Sequence, residues 1–282
     1  MSHLINLISK HLLDDNERER EKTSFWPTES EANAFDIYHK WMGTPPTNPI
    51  TGEKLMMFQS AKLIEQAYVN MFADMGILLS SEENQTRIEI ERNGIPISGY
   101  MDAVLDYMGH DMVCEIKTFY GDWQERDLLA GKPRESYLKQ LAVYMDATDT
   151  NEGLLFYINR GTGKPFQYLL QRSGTKFKCN DIEFDIMDTY KRWADIYDYI
   201  QRGEEPPSDY IYKFPLEEID WKTISRSDIS KARNGHKVLG EWQVLYSPYK
   251  DLIVEREGTQ LGYSPEEIAL IKEKTDGYTT WR

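Results

Sequence analysis

The sequence predicts an α/β protein built on a central mixed sheet flanked by helices, with helical additions at both ends. Three observations predict it. Strand-like alternation on either side of two turn signals, Asn93-Gly94 and Met108-Gly109-His110-Asp111, gives a succession of three antiparallel strands. A helical pattern over 135–146 followed by the apolar run 153–159 gives a crossover that returns to the same sheet. Longer helical patterns over 54–75 and 181–202 bracket this block and supply its covering layers.

Composition sets the limits. A chain of 282 residues with 40% hydrophobic and 12% aromatic content can bury a sizeable core. No apolar run approaches the roughly 20 residues of a membrane-spanning helix. The opening residues run into Asp14-Asp15-Asn16-Glu17 without a cleavage-type pattern, so a soluble cytoplasmic protein with no membrane partner is expected. Two cysteines, Cys114 and Cys179, cannot build a disulfide framework or a four-thiolate metal site, and Cys114 is expected to be buried and inert. A net charge of −14 argues against a protein that coats nucleic acid by overall charge. The charge is uneven, however. Residues 160–178 hold Arg160, Lys164, Arg172, Lys176 and Lys178 with no acid, and residues 222–237 hold Lys222, Arg226, Lys231, Arg233 and Lys237 against Asp228 alone. Either run suits a phosphate backbone, although solvated basic side chains beside acidic neighbours are the plainer reading.

The elements follow in order. Leu4, Leu7, Ile8, His11 and Leu12 recur at helical spacing and predict a short first helix. Thr28-Glu29-Ser30-Glu31 fits a capping box that starts a second helix through Ala34, Phe35, Tyr38 and Trp41, stopped by Gly43 and Pro45-Pro46. The third helix, 54–75, carries an apolar stripe with Phe58, Leu63, Ala67 and Met71, and Glu65 leans toward its packed side near Tyr68, Val69 and Phe72. Residues 85–92 alternate as a strand and lead through Asn93-Gly94 toward the next hairpin. Residues 121–131, polar and aromatic between two glycines, read as a loop or mobile flap. The fourth helix turns Leu138, Leu141, Ala142 and Met145 inward and sets Gln140 and Tyr144 on one face. A further strand is expected near 166–170, a long helix over 181–202 is ended by Gly203 and Pro206-Pro207, and a last helix covers 265–274. Domain boundaries fall accordingly: a helical N-terminal region over 1–53, a core over 54–205, and an extension over 206–282 packing on that core.

The hairpin of residues 100–107 and 112–119 carries the chemistry. A turn centred between Met108 and Gly109 sets Asp102 opposite Glu115 and Asp106 opposite Asp111. Strand alternation puts Glu115 and Lys117 on one face and Ile116 on the other. Two facing carboxylates destabilise a sheet unless a cation lies between them, and hard oxygen donors suit Mg²⁺ or Mn²⁺. The plainer alternative is a solvated edge hairpin with Lys117 as a surface counter-charge.

Together, Glu65, Gly99-Tyr100-Met101-Asp102, Glu115-Ile116-Lys117 and Gln140-Leu141-Ala142-Val143-Tyr144 resemble the PD-(D/E)xK nuclease superfamily, especially its RecB-like and CRISPR-associated exonuclease branch. That branch orders a helical Glu, a G-x-x-D strand, an E-x-K strand and a Q-x-x-x-Y helix in the same way. The resemblance implies a sheet of that nuclease type, with Asp102, Glu115 and the Ile116 carbonyl on a first Mg²⁺ or Mn²⁺ and Glu65 assisting. It implies Lys117 as the catalytic lysine, with Gln140 and Tyr144 orienting it or the substrate. The expected activity is a metal-dependent DNA exonuclease acting on single strands or free ends in replication, recombination or repair, with a recombination or replication protein as a possible partner. A structure-specific or restriction-type endonuclease and a non-catalytic DNA-binding protein are the alternatives. Trp123 and Tyr120 are candidate base-stacking residues, with core packing as the commoner use of each.

Two departures qualify the resemblance. The branch commonly ends in a cysteine-rich pattern that holds an iron–sulfur cluster, whereas here Val244, Ser247 and Ile253 stand where thiolates belong, in a segment that begins at Trp242. No iron–sulfur cluster is expected, and apolar packing is expected to take over as the clasp. Ala61 occupies the place of a His that often precedes the helical Glu.

Overall fold

A computed structural model of the chain describes residues 3–16, 22–81, 86–207, 209, 216, 220–221, 224–234, 241–257 and 263–276. The chain divides into two compact units, Met1–Ala32 with Thr51–Pro206, and Asn33–Ile50 with Pro207–Arg282. The expected N-terminal region is thus shared between them. No helix among the described residues is long and apolar enough to cross a membrane.

The first unit holds a seven-stranded mixed sheet flanked by helices, as the sequence pattern predicts. Its strands are β1 (Leu78–Ser81), β4 (Ala103–Tyr107), β5 (His110–Phe119), β6 (Glu152–Asn159), β7 (Pro165–Ser173), β8 (Lys176–Cys179) and β9 (Ile182–Asp185), in the order β1-β4-β5-β6-β7-β8-β9. Only β5 and β6 run parallel, joined by a crossover through α4 (Asp122–Leu129) and α5 (Glu135–Thr148). The strands β2 (Arg87–Arg92) and β3 (Ile95–Tyr100) form a separate two-stranded ribbon. The expectation of three sequential strands in one sheet is therefore corrected: the chain bends at Met101-Asp102 and leaves the ribbon for the main sheet.

Turn chemistry fixes both hairpins. Asn93 and Gly94 have φ of 51° and 75°, and Met108 and Gly109 have 55° and 83°, the paired positive values of a type I′ turn. The β4–β5 register is the expected one, with Ala103 opposite Cys114 and Asp106 opposite Asp111. A one-residue slip would turn Ala103, Leu105, Met112, Cys114 and Ile116 out of the core that they form with Val69, Leu154 and Ile158.

Helix α3 (Gly52–Asp74) covers this face of the sheet through Ile64, Tyr68, Val69 and Phe72. The stripe read from the sequence lies elsewhere: Phe58, Leu63, Ala67 and Met71 are exposed. The helix is apolar on several sides, so periodicity alone does not select the face that meets the sheet. On the opposite face α5 packs against β5 and β6, and α6 (Ile186–Arg202) packs against α5. The approach of α5 to β6 is close, since a Cβ on Gly153 would stand 2.5 Å from Met145 Sδ. Helix α1 (His3–Asn16) lies against α3.

Other expectations are corrected locally. Residues 121–131 are not a flap but mostly helix α4, opened by Gly121 at φ 110° and held by buried Leu128 and by Glu125, which accepts from Asn159 Nδ2 at 2.6 Å and Lys164 Nζ at 2.9 Å. The second helix does not start from Thr28; residues Pro27–Glu29 form a single 3-10 turn, and α2 (Ala34–Trp41) is capped by Asn33, whose side chain accepts from Phe35 N at 2.9 Å. Strands β1, β8 and β9, four residues each, were not anticipated. In the sequence, Lys176, Lys178 and their neighbours register as a basic run, although Phe177 and Cys179 alternate inward.

The second unit is helical: α2, α7 (Arg226–Arg233), α8 (Glu241–Tyr246), α9 (Lys250–Glu257) and α10 (Pro265–Lys274). Ser264 and Glu267 form a capping box that starts α10 where it was expected. One cluster joins Phe35, Val244, Tyr249 and Ile253, and a second joins Leu216, Trp221, Ile229, Ala232, Tyr263 and Ile271.

Asp146, near the end of α5, ties the first unit together across four elements. It accepts from Arg92 Nε of β2 at 2.9 Å, Arg172 Nη2 of β7 at 3.0 Å and Tyr190 Oη of α6 at 2.8 Å. Removing the acid strands two guanidinium groups in a partly buried setting, so Asp146→Ala should destabilise the chain by about 3 kcal/mol. Urea unfolding at pH 7.5 checks this; a change below about 0.5 kcal/mol would show that the network is ornamental.

Candidate active site

The site grows from the edge where β4 stops and β5 continues. Because Asp102 stands at the bend before Ala103, its carboxylate replaces the missing ladder partner, and Oδ2 accepts the Ile116 N–H at 2.7 Å. A residue's N–H and C=O leave an extended strand on the same side, so the Ile116 carbonyl also faces the gap beside Asp102. The pairing ends at Ala103 and Cys114, so Asp102, expected opposite Glu115, stands just beyond the last paired residue.

Glu115 is 1% exposed. Its Oε1 accepts from Gln140 Nε2 of α5 at 2.6 Å and from the ammonium of Lys117, two residues on along the same face. Its Oε2 is buried with no hydrogen-bond partner. Burial and the nearby Asp102 carboxylate push the Glu115 pKa up to about 8, against the pull of Lys117. For Lys117, burial favours the neutral amine, but Glu115 and Asp102 outweigh it and the ammonium is held above its ordinary range. Burial, with Asp102 and Glu115, also pushes the Cys114 thiol well up, which leaves it inert.

Tyr144, one turn beyond Gln140, donates its hydroxyl to the Tyr100 carbonyl at 2.8 Å and so pins the chain just before Asp102. Gly99 permits this approach: a Cβ there would stand 2.8 Å from Pro27 Cδ and 3.1 Å from the Tyr144 hydroxyl. Gln140 and Tyr144 are thus committed to Glu115 and to the backbone. Asp102, Glu115, Lys117, Gln140 and Tyr144 line one cleft of 530 Å³. Glu65 does not; it shares with Asp102, Lys62, Gln66, Val69 and Ser81 a recess of 20 Å³, room for about one water or ion.

Sequence reasoning missed the rest of the cleft wall, Thr23, Ser24, Trp26, Pro27 and Thr28 on one side and Arg87, Ser98 and Tyr100 on the ribbon. Trp26-Pro27 was the available signal. The segment is braced by buried Lys22, whose ammonium meets Glu29 Oε2 at 2.7 Å and stands 4.2 Å from the Trp26 ring centre.

The basic run 160–178 is largely spoken for: Lys164 pairs with Glu125, Arg172 with Asp146 and Asp149, and Lys176 with Glu183. Lys222 and Lys237 of the other run lie outside the described residues. Of the expected C-terminal clasp, Val244 and Ile253 are fully buried and Ser247 donates to Asp36 Oδ1 at 2.7 Å, whereas the Trp242 side chain lies outside the description.

Do these residues fit a divalent cation? Among the described residues no three His, Cys, Asp or Glu side chains form a ready cage. Mg²⁺ and Mn²⁺ do not need one, since they keep water and take one or two carboxylates. The unpartnered Glu115 oxygen, the adjoining Asp102 and the Ile116 carbonyl are donors of the right kind, and the residues fit.

No family model matches the chain, and no curated protein matches it. Among solved structures it is similar to SSO0001, at 15% identity and a TM-score of 0.46, covering 72% of this chain and 88% of that one. It is also similar to an alkaline exonuclease, LHK-Exo of Laribacter hongkongensis, at 13% identity and a TM-score of 0.44 over 69% of this chain and 93% of that one. The complex of LHK-Exo with dAMP gives 14%, 0.43, 64% and 89%. At these scores the likenesses carry no functional weight.

The raised Glu115 pKa has a measurable consequence. A carboxyl whose folded pKa of about 8 exceeds its ordinary 4.5 adds stability below the lower value and loses it as pH climbs through the higher one. In chelator, wild type should therefore lose stability relative to Glu115→Gln between pH 5 and 8.5, by on the order of 3 kcal/mol. Parallel pH profiles for the two proteins in urea unfolding would show that Glu115 is not held protonated by its surroundings.

Proposed function

We propose that the chain is a Mg²⁺- or Mn²⁺-dependent deoxyribonuclease, an exonuclease of the RecB-like branch of the PD-(D/E)xK superfamily. It acts in the cytoplasm on single strands or DNA ends during replication, recombination or repair, and carries no iron–sulfur cluster. One observation carries the reading: Asp102, Glu115 and Lys117 face a single cleft, with a buried Glu115 oxygen left without a protein partner. A purely structural pair would have both carboxylate oxygens satisfied.

Asp102, Glu115 and the Ile116 carbonyl would hold the cation, and Glu65, which shares a recess with Asp102, would assist directly or through water. When bound, a divalent cation here supplies Lewis acidity, lowering the pKa of a water and neutralising charge on the scissile phosphate. The protein's own groups do the positioning. Lys117, whose ammonium Glu115 and Asp102 hold above its ordinary range, lies at the cleft wall, orients the attacking water and offsets negative charge on the phosphorane-like transition state. Gln140 fixes the Glu115 rotamer, so that Oε2 and not Oε1 is left for the metal. Tyr144 holds the strand end that presents Asp102. Because Glu115 must shed its proton to bind metal, cation affinity should rise with pH toward 8.

Glu115→Ala, Lys117→Ala and Asp102→Ala should each lower metal-dependent cleavage of a labelled DNA oligonucleotide by roughly a thousandfold or more, the range of losing a transition-state charge contact. Their circular dichroism should stay native. Undiminished cleavage in chelator, or a fully active folded Glu115→Ala protein, would sink the mechanism. Stoichiometric iron and sulfide in anaerobically purified protein would overturn the cluster-free reading.

The end requirement has its own test. Linear single strands should be degraded with Mn²⁺ while covalently closed circles of the same sequence persist. Circles cut as fast as linear strands would move the protein to the endonuclease class.

A further inference from the structure

From Lys117, at the cleft wall, a row of alternating cations and rings leads away. The Lys117 ammonium stands 5.1 Å from the ring centre of Tyr137. On the same tyrosine, at 5.8 Å, sits the guanidinium of Arg134, which also lies 5.5 Å from the Trp123 ring centre. The order is Lys117, Tyr137, Arg134, Trp123. Loop and helix meet here by construction: the Arg134 N–H donates to the buried Tyr157 hydroxyl at 3.1 Å, which anchors the start of α5, and Trp123 stands in the first turn of α4.

Two features set this row apart from ordinary surface packing. Arg134 is exposed yet pairs with no acid among the described residues, and the next residue in sequence, Glu135, is bound to Lys139 at 2.8 Å. Trp123 is 55% exposed, so one indole face is open to stacking. By contrast, Arg87, which lies 5.9 Å from the Tyr100 ring, pairs with Glu89, and Lys164, Arg172 and Lys176 of the basic run 160–178 are ion-paired. A guanidinium stacked between two rings keeps its edge N–H donors for a planar or tetrahedral oxyanion. An adjoining open indole is the sequence-tolerant platform that single-stranded bases use.

We infer that Arg134 and Trp123 form a single-strand clamp next to the reaction centre. Arg134 takes a phosphate neighbouring the scissile one, and Trp123 stacks the base beyond it. The inference rests on the reading of Lys117 as the residue at the scissile phosphate. It places the basic contact outside both basic runs of the sequence.

The full chain is tested with labelled oligothymidylate, by Mn²⁺-dependent cleavage and by anisotropy in chelator. Arg134→Ala should raise KM by about tenfold and cut the slope of log KM against log salt by about 0.7, the signature of one lost phosphate contact on a single strand. Arg134→Lys should restore the slope. Trp123→Ala should raise KM about tenfold on oligothymidylate, within the range of one lost base stack, and leave KM on an abasic strand unchanged. The exposed neighbour Lys132→Ala is the control and should match wild type. Wild-type KM and salt slope in Arg134→Ala would overturn the clamp while leaving the nuclease reading intact. Binding that is lost in Arg134→Ala, in a protein that never cleaves, would support the clamp and sink the nuclease reading. A wild type that neither cleaves nor binds the strand would overturn both.

Discussion

The carboxyl group of Glu115 and the ammonium of Lys117, side by side in the interior on β5, are the constraint around which the first unit is organised. Taking two charges out of water costs several kcal/mol each, and mutual attraction offsets this only when the remaining hydrogen-bonding positions are filled. Here they are filled incompletely. Glu115 has Gln140 and Lys117 on one oxygen and nothing on the other, and Asp102 lies close enough to raise its pKa further. The strain is electrostatic, and the raised pKa of Glu115 is its signature, since a proton on the carboxyl relieves it. On the proposed reading, the stability lost here preorganises donors for a positive charge.

The surrounding structure exists to hold that arrangement still. Apolar packing of Cys114 and Ile116 against α3 fixes one face of β5, so alternation presents Glu115 and Lys117 on the other. Helix α5 then lies over that face, close enough at Gly153 to exclude any side chain, and brings Gln140 onto Glu115. The same helix ends at Asp146, whose bonds to Arg92, Arg172 and Tyr190 keep it in register with ribbon, sheet and α6. Site geometry and global stability therefore share one element. Substitutions at the far end of α5 act on the cleft through helix position, without any contact to it.

The ribbon and the segment before α2 complete the cleft from parts of the chain that are remote in sequence. Pro27 packs on Gly99, and the Ser24 and Ser98 hydroxyls meet at 2.6 Å, so the wall opposite the acids is built by contacts over some seventy residues. In the proposed function, that wall faces the substrate while β5 carries the reacting groups.

Local rules made much of this legible in the sequence. Two type I′ turn signals set the hairpins, strand alternation set the shared face of Glu115 and Lys117, and capping chemistry set α10, because each depends on neighbours within a few residues. The order of the helical Glu65, Asp102, Glu115-Ile116-Lys117 and Gln140 to Tyr144 was readable for the same reason. What the tertiary structure alone decided is long-range. Helix α3 is apolar on several sides, and only docking on the sheet chose Ile64, Tyr68 and Phe72 over Phe58, Leu63 and Met71. The polar residues 121–131 became helix α4 because Leu128 found a core and Glu125 found Asn159 and Lys164. Trp123 was already a stacking candidate, but Arg134 acquired meaning only when the crossover set it between Trp123 and Tyr137, next to Lys117, since no periodicity in a sequence records which side chains meet after the chain has turned back on itself.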